Sequence, residues 1–309
     1  MINFRYHVVS LTAVFLALAI GLVVGTAALN GPVADSLMDT VNALRKDNQQ
    51  LRDQVSSLKD QINREEDFVI QATPRLLTNT LAGRRILVVT LPSGREHSAE
   101  VIERLRTAGA SVTGRIDFQD KFVEPDNNND LMSLAESSAR PTIPTDGLPG
   151  NSNGVETSSA LLATALLDRS EGPLVTEADR EAVLDAYVDA KYISVVNDKV
   201  TGPAEAVVVV SGASYIDSEA AAKDAAVVTM VRQFHNLVPL VVAGSGTSEG
   251  NLVSAVRGDP ELSKSIPTVD NGNTPMGQVA ATLAMADLIN AQKVGHYGLG
   301  DGVAGLLPE

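Results

Sequence analysis

Residues 85–116 read RILVVTLPSGREHSAEVIERLRTAGASVTGRI, and this stretch decides the fold class. Residues 85–91 are short, apolar and rich in β-branched side chains, the pattern of a strand buried on both faces. Residues 96–108 place Val101, Ile102 and Leu105 at helical spacing, and Gly109 supplies a stop. Residues 111–116 return to strand. A strand–helix–strand unit of this kind argues for a parallel sheet.

The alternation recurs toward the C-terminus. Helical patterns cover 157–167, 217–235 and 275–292, and Thr176 with Asp179 resembles a capping box opening a helix through Ala190. Strand patterns cover 192–196, 205–211 (EAVVVVS) and 238–243, with 205–211 expected at the centre. The expectation is a doubly wound α/β domain over residues 84–309. Residues 117–154 interrupt it. Their turn-rich polar runs flank one short helix at 131–139, so this part is expected to be an irregular, mobile excursion from the core.

Upstream, residues 8–29 read VVSLTAVFLALAIGLVVGTAAL and carry no charge. At a rise of ~1.5 Å per residue they reach across a bilayer core of ~30 Å. Arg5 precedes the run and Asp35 is the first charge after it. Positive charge stays inside, so residues 1–7 are expected in the cytoplasm, 8–29 in the cell (inner) membrane and the rest outside it. A cleaved signal peptide is the alternative, with small residues around Gly25, Thr26 and Ala27 as its cleavage site. Ala17, Gly21 and Gly25 form a small-residue face on which a second membrane helix could pack.

Asn30-Gly31-Pro32 then breaks the helix, and a heptad pattern occupies 33–66. Position a holds Val41, Asn48, Val55 and Ile62; position d holds Leu37, Leu44, Leu51 and Leu58. β-branched residues at a with leucine at d favour a parallel two-stranded coil, and a lone asparagine at a selects register and dimer state. Asp47 at g faces Arg52 at e across such a coil, and Gln54 faces Lys59. A helix packed on its own domain would need a wider apolar stripe, but here e is Arg45, Arg52 and Lys59. Glu65 at the next d position ends the seam. The coil is expected to be homodimeric, although a partner could supply the second strand.

Composition removes several function classes. The 309 residues are 44% hydrophobic and 20% charged, with 24 Lys+Arg against 38 Asp+Glu and a net charge of −14. That balance argues against nucleic-acid binding, which needs clustered basic groups. Cysteine is absent, which excludes disulfides, thiolate metal sites and a cysteine nucleophile. The mean hydropathy of +0.06 averages a membrane helix with a polar, acidic exterior.

Chemical motifs are sparse. Open α/β sheets bind ligands beyond the carboxyl ends of their strands. Three such ends contain glycine: Pro92-Ser93-Gly94-Arg95, Gly212-Ala213-Ser214 and Gly244-Ser245-Gly246-Thr247. Ser93, Arg95, Gly244 and Gly246 are therefore the candidate ligand cleft. Gly244, Gly246 and Gly250 are spaced one residue too widely for a dinucleotide fingerprint. Hydrolase and P-loop signatures are absent. The four histidines, His7, His97, His235 and His296, lie far apart, and the six methionines form no MxM or MxxM cluster. No catalytic residue, metal site or cofactor is expected.

The opening FRYHVVSLTAVFLALAIGLVVG, the leucine-bearing coil and the closing MADLINAQKVGHYGLGDG resemble a family of actinobacterial envelope proteins, the MctB-type copper transport family, whose corynebacterial members are called SteB. The resemblance covers essentially the whole chain. It implies either control of copper content, by export or as a channel, or a role in daughter-cell separation. In the second role SteB pairs with the membrane-associated SteA and acts on peptidoglycan hydrolases of the RipA type. The resemblance supplies no catalytic motif. One span cannot form a channel without many copies. The expected function is accordingly a non-enzymatic, membrane-anchored scaffold of cell separation, with copper homeostasis as the alternative.

Overall fold

The computed structural model describes residues 4–30, 32–143, 147–150, 153–169, 172, 174–196, 199–246 and 250–308. Thr247 and the expected helix break at Gly31 lie outside them. The chain divides after Glu65 into two units.

The first unit is helical. Helix α1 (Phe4–Asn30) contains an apolar run, Phe4–Ala27, with a mean hydropathy of 2.6 and no residue buried by the rest of the chain. It is the one described helix long and apolar enough to cross a membrane. Helix α2 (Pro32–Leu77) starts on the proline, whose locked φ suits a first turn, and continues well past the heptad stretch.

Among the described residues of the second unit, seven strands form one sheet: β1 (Arg85–Thr90), β2 (Ser111–Phe118), β3 (Ile193–Val195), β4 (Ala206–Val210), β5 (Leu240–Ala243), β6 (Thr268–Val269) and β7 (His296–Tyr297), in the order β3-β2-β1-β4-β5-β6-β7. All neighbours are parallel except β2 and β3, which pair antiparallel through Ile116↔Val195 and Phe118↔Ile193. The described helices are α3 (Ser98–Thr107), α4 (Asp120–Val123), α5 (Asn128–Ser137), α6 (Gly154–Leu166), α7 (Glu177–Asp189), α8 (Ala220–His235), α9 (Leu252–Gly258) and α10 (Pro275–Ala291). Central β4 is buried along its whole length, which is why it reads as a continuous valine run instead of an alternation.

Side chains alternate across the sheet. Leu87, Val89, Val207, Val209, Leu240 and Val242 face one core with α5 to α9. Ile86, Val88, Ala206, Val208, Val210, Val241 and Ala243 face the other, with α3, α10 and Leu77 at the end of α2. Ala280, Ala281 and Ala284 let α10 lie close against that face. Asn153, Thr176, Asn251 and Thr274 cap α6, α7, α9 and α10 by accepting backbone N–H bonds, the Thr176–Asp179 pairing among them.

The structure departs from expectation in three places. Within the expected excursion of 117–154, residues 117–143 belong to the core: Phe118, Phe122, Leu131, Ala135 and Ile143 are fully or almost fully buried in the first core. Phe118 and Phe122 meet edge-to-face at 4.6 Å, Ser158 donates to the Leu131 carbonyl, and Glu124 pairs with the buried Lys223 at 2.8 Å. Edge strand β3 runs against its neighbour β2, delivered by a tight turn at Lys191, whose φ is 60°. The two-residue strands β6 and β7 and the short helix α9 carry too few residues for a periodicity to register.

Candidate functional site

The chain order reverses between β1 and β4, and this switch point is where doubly wound sheets usually hold a ligand. Here the chain fills it. The 3-10 turn Pro92–His97 after β1 packs directly on the loop after β4. Ser93 Oγ accepts the Gly212 N–H at 3.0 Å. A Cβ on Gly212 would overlap the Ser93 carbonyl, and one on Gly94 would press on the Val210 carbonyl. Arg95 turns away and donates to the Phe118 carbonyl at 2.9 Å and to Gln119 Oε1 at 2.6 Å. Ser93 and Arg95 thus hold loops together at the carboxyl edge.

Gly244 and Gly246 lie after β5. Gly244 is crowded by Val253 and Ser211, and only a residue without Cβ fits there. Gly246 has φ 88° and receives the Asn251 side-chain N–H on its carbonyl at 2.9 Å. Gly246 borders an open cleft of about 390 Å³, with Asn251, Ser254, Arg257, Gly300 and Asp301 on its walls. The four candidate cleft residues therefore separate into two pairs, one closing the switch point and one beside a cleft farther along the sheet.

A polar network that sequence reading missed backs this cleft. Asp270, buried just beyond β6, accepts from Arg257 at 2.9 Å, from Leu299 N–H at 2.7 Å and from Gly300 N–H at 3.1 Å. Arg257 also donates to Thr268 Oγ1 at 2.8 Å and to the Tyr297 carbonyl at 3.0 Å. His296 meets Thr268 Oγ1 through Nδ1 at 2.9 Å and the Ser263 carbonyl through Nε2 at 3.1 Å. Burial, followed by the charge of Arg257, pushes the His296 pKa below its ordinary value. Arg257, Asp270 and His296 are far apart in sequence; the glycines of 298–302 were the available signal that backbone must approach another group closely there.

Among the described residues no three His, Asp or Glu side chains converge as a metal site. Met230 is buried in one core and Met285 in the other, on opposite faces of the sheet, and Met38 is exposed on α2. Met230 and Met285, two of the soft donors a Cu(I) site could use, are thus kept apart by the sheet.

The heptad residues present a different surface. Leu37, Val41, Leu44, Leu51, Val55, Leu58 and Ile62 are between 37% exposed at Val41 and 66% exposed at Leu37. Val41, Leu44 and Asn48 line a shallow groove with Arg45, Gln49 and Arg52. On α1, a Cβ at Gly21 or Gly25 would meet nothing within 4 Å, leaving open the face that Ala17 extends.

A family model described as "Copper transport outer membrane protein, MctB" matches residues 1–308. The chain is 31% identical over 317 residues to the Copper transporter MctB of Mycobacterium tuberculosis (strain ATCC 25618 / H37Rv) and, equally, to that of Mycobacterium bovis, with 98% of each chain covered. Identity to the Copper transporter MctB of Mycobacterium leprae is 28% over 315 residues, with 99% of each covered. With an apolar N-terminal helix suited to a membrane, a mixed α/β sheet domain and a match along its whole length, this chain belongs to the MctB family of copper transport outer membrane proteins.

Proposed function

We propose that the protein is a membrane-anchored assembly component of copper homeostasis in the cell envelope. Two copies pair in parallel through α2, with α1 as a single-pass anchor, its N-terminus cytoplasmic and the sheet domain outside. The names of the relatives support the copper role. The observation that carries the assembly role is the exposed aliphatic stripe on α2, with a single Asn48 at its a positions and Asp47 able to meet Arg52 of a second copy.

The test is a deletion strain challenged with copper and complemented with the wild-type chain or with Leu44→Glu/Leu51→Glu. Wild type should restore copper tolerance and cell copper content, and the charged seam should not. Full rescue by the charged seam would sink the assembly role. The absence of cysteine allows topology to be read from single substitutions. Ser218→Cys should react with an impermeant maleimide in intact cells stripped of outer layers, and a cysteine at Asn3 should not.

The same stripe favours a second reading, a scaffold of daughter-cell separation. Here α2 receives helices of a RipA-type hydrolase and the anchor engages a SteA-type partner, in keeping with coiled-coil recognition. Chained cells at normal copper tolerance in the deletion strain would favour it over the copper role.

A further inference from the structure

The last residues of the sheet domain form a strap. Ala304 N–H donates to the His296 carbonyl at 2.8 Å and Gly298 N–H to the Gly305 carbonyl at 3.0 Å, so residues 298–305 cover the outer edge of β7. Asp270 grips the strap at Leu299 and Gly300, and Gly298 lies so close to that carboxylate that no Cβ could be added.

His296 sits where strap and sheet join, in a chain of hydrogen bonds with a definite direction. The Ser263 carbonyl can only accept, so Nε2 carries the ring proton and Nδ1 is an acceptor. Arg257 Nε–H donates to Thr268 Oγ1, and the Thr268 hydroxyl donates onward to Nδ1. A second proton on the ring would turn Nδ1 into a donor, so the Thr268 hydroxyl would have to give up its own donation to the ring and accept from both His296 and Arg257. It would also place a positive charge one hydroxyl away from the Arg257 guanidinium. The charged groups facing the network are Arg257 from α9, Asp270 from the end of β6 and, on the cleft wall with Arg257, Asp301 of the strap; Arg257 is paired with Asp270.

We propose that His296 is the acid-sensitive lock of a C-terminal strap: protonation breaks the Arg257–Thr268–His296 relay, frees residues 298–305 and leaves β7 as an open sheet edge. An open edge can accept an added strand, so acid would switch this end of the domain from closed to receptive.

Hydrogen exchange on the full-length chain in detergent tests this. Between about pH 7.5 and pH 5, the amides of Gly298, Leu299, Gly300 and Ala304 should lose roughly tenfold protection beyond the intrinsic rate change. His296→Gln cannot titrate but keeps a donor for Ser263, and its strap protection should be flat over the same range. Flat protection in the wild type, or the same acid loss in His296→Gln, would overturn the proposal. Should His296→Gln loosen the strap at both pH values, the wild-type His296 ring resonance decides. Strap protection must then fall between the ordinary histidine value of about 6.5 and the midpoint of the ring itself, and a fall outside that window refutes the lock.

Discussion

Two stretches of aliphatic residues have opposite fates in this chain. Val207, Val208 and Val209 of β4 are at most 1% exposed, whereas Leu44, Leu51 and Leu58 of α2 are more than half exposed. The side chains are of one kind and the difference lies in what surrounds them. The β4 valines sit between two neighbouring strands with helices on both faces, so their own chain buries them. The α2 leucines have only their own helix nearby. Burying a leucine stabilises by roughly 1.5–3 kcal/mol, and the proposed pairing of α2 is what would supply that gain there. Stability of the sheet domain is therefore a property of one chain, and under the proposed pairing that of the α2 seam depends on concentration.

The comparison can be broken most severely in β4. Val208→Asp puts an unpaired carboxylate into a dry core and should cost at least about 4 kcal/mol, abolishing the cooperative unfolding transition of the sheet domain. A retained thermal transition at the wild-type temperature would contradict the burial of this strand. Next comes Asp270→Ala, which leaves the Arg257 guanidinium and two backbone N–H groups without their carboxylate. The expected loss is about 3 kcal/mol, read by denaturant unfolding.

On α2 the expected pattern inverts. Leu44→Glu/Leu51→Glu should abolish the proposed dimer in sedimentation while shifting sheet-domain stability by less than about 0.5 kcal/mol. Asn48→Leu should change oligomer state or register with the sheet domain again untouched. A seam variant that lowers the melting temperature of the sheet domain would show that the two regions are not independent.

The smallest effect is a pH dependence. Burial lowers the native pKa of both His235 and His296. A depressed histidine adds stability that is complete above its unfolded pKa, about 6.5, and is lost as pH falls below that value. The carboxylates Asp217 and Asp259 are held below their ordinary range, Asp217 chiefly by Lys223 and Asp259 chiefly by the N–H groups of Leu262 and Glu261. Their contribution fades only as pH falls below the ordinary aspartate value of about 3.9. Melting temperature should thus decline in two separate windows, and His296→Gln should reduce the first alone.

Much of this molecule was legible in advance. The strands at 85–91, 111–116 and 205–211 are local patterns of buried β-branched residues, and the helix over 275–292 is bounded by a threonine cap with a following proline. The segment 117–154 misled because its polar turns outnumber its apolar anchors. Phe118, Phe122 and Leu131 find the core only because α6 and α8 bring a surface to them. Among the cleft candidates, Ser93 and Gly246 share a type of position, a glycine-bearing loop after a strand. Which loop closes and which lines a cleft depends on the neighbouring strand's loop, and sequence does not carry that neighbour's identity.

By itself the sequence determined the elements whose cause is local: an uncharged helix long enough for a bilayer, a heptad stripe with one asparagine, and strands that are apolar on both sides. Tertiary structure alone decided the reversed edge strand, the self-filled switch point and the Arg257–Asp270–Thr268–His296 network. Periodicity records which face of an element is apolar. It does not record which other element meets that face, and both the closing of a crevice and the pairing of distant charges are consequences of that meeting.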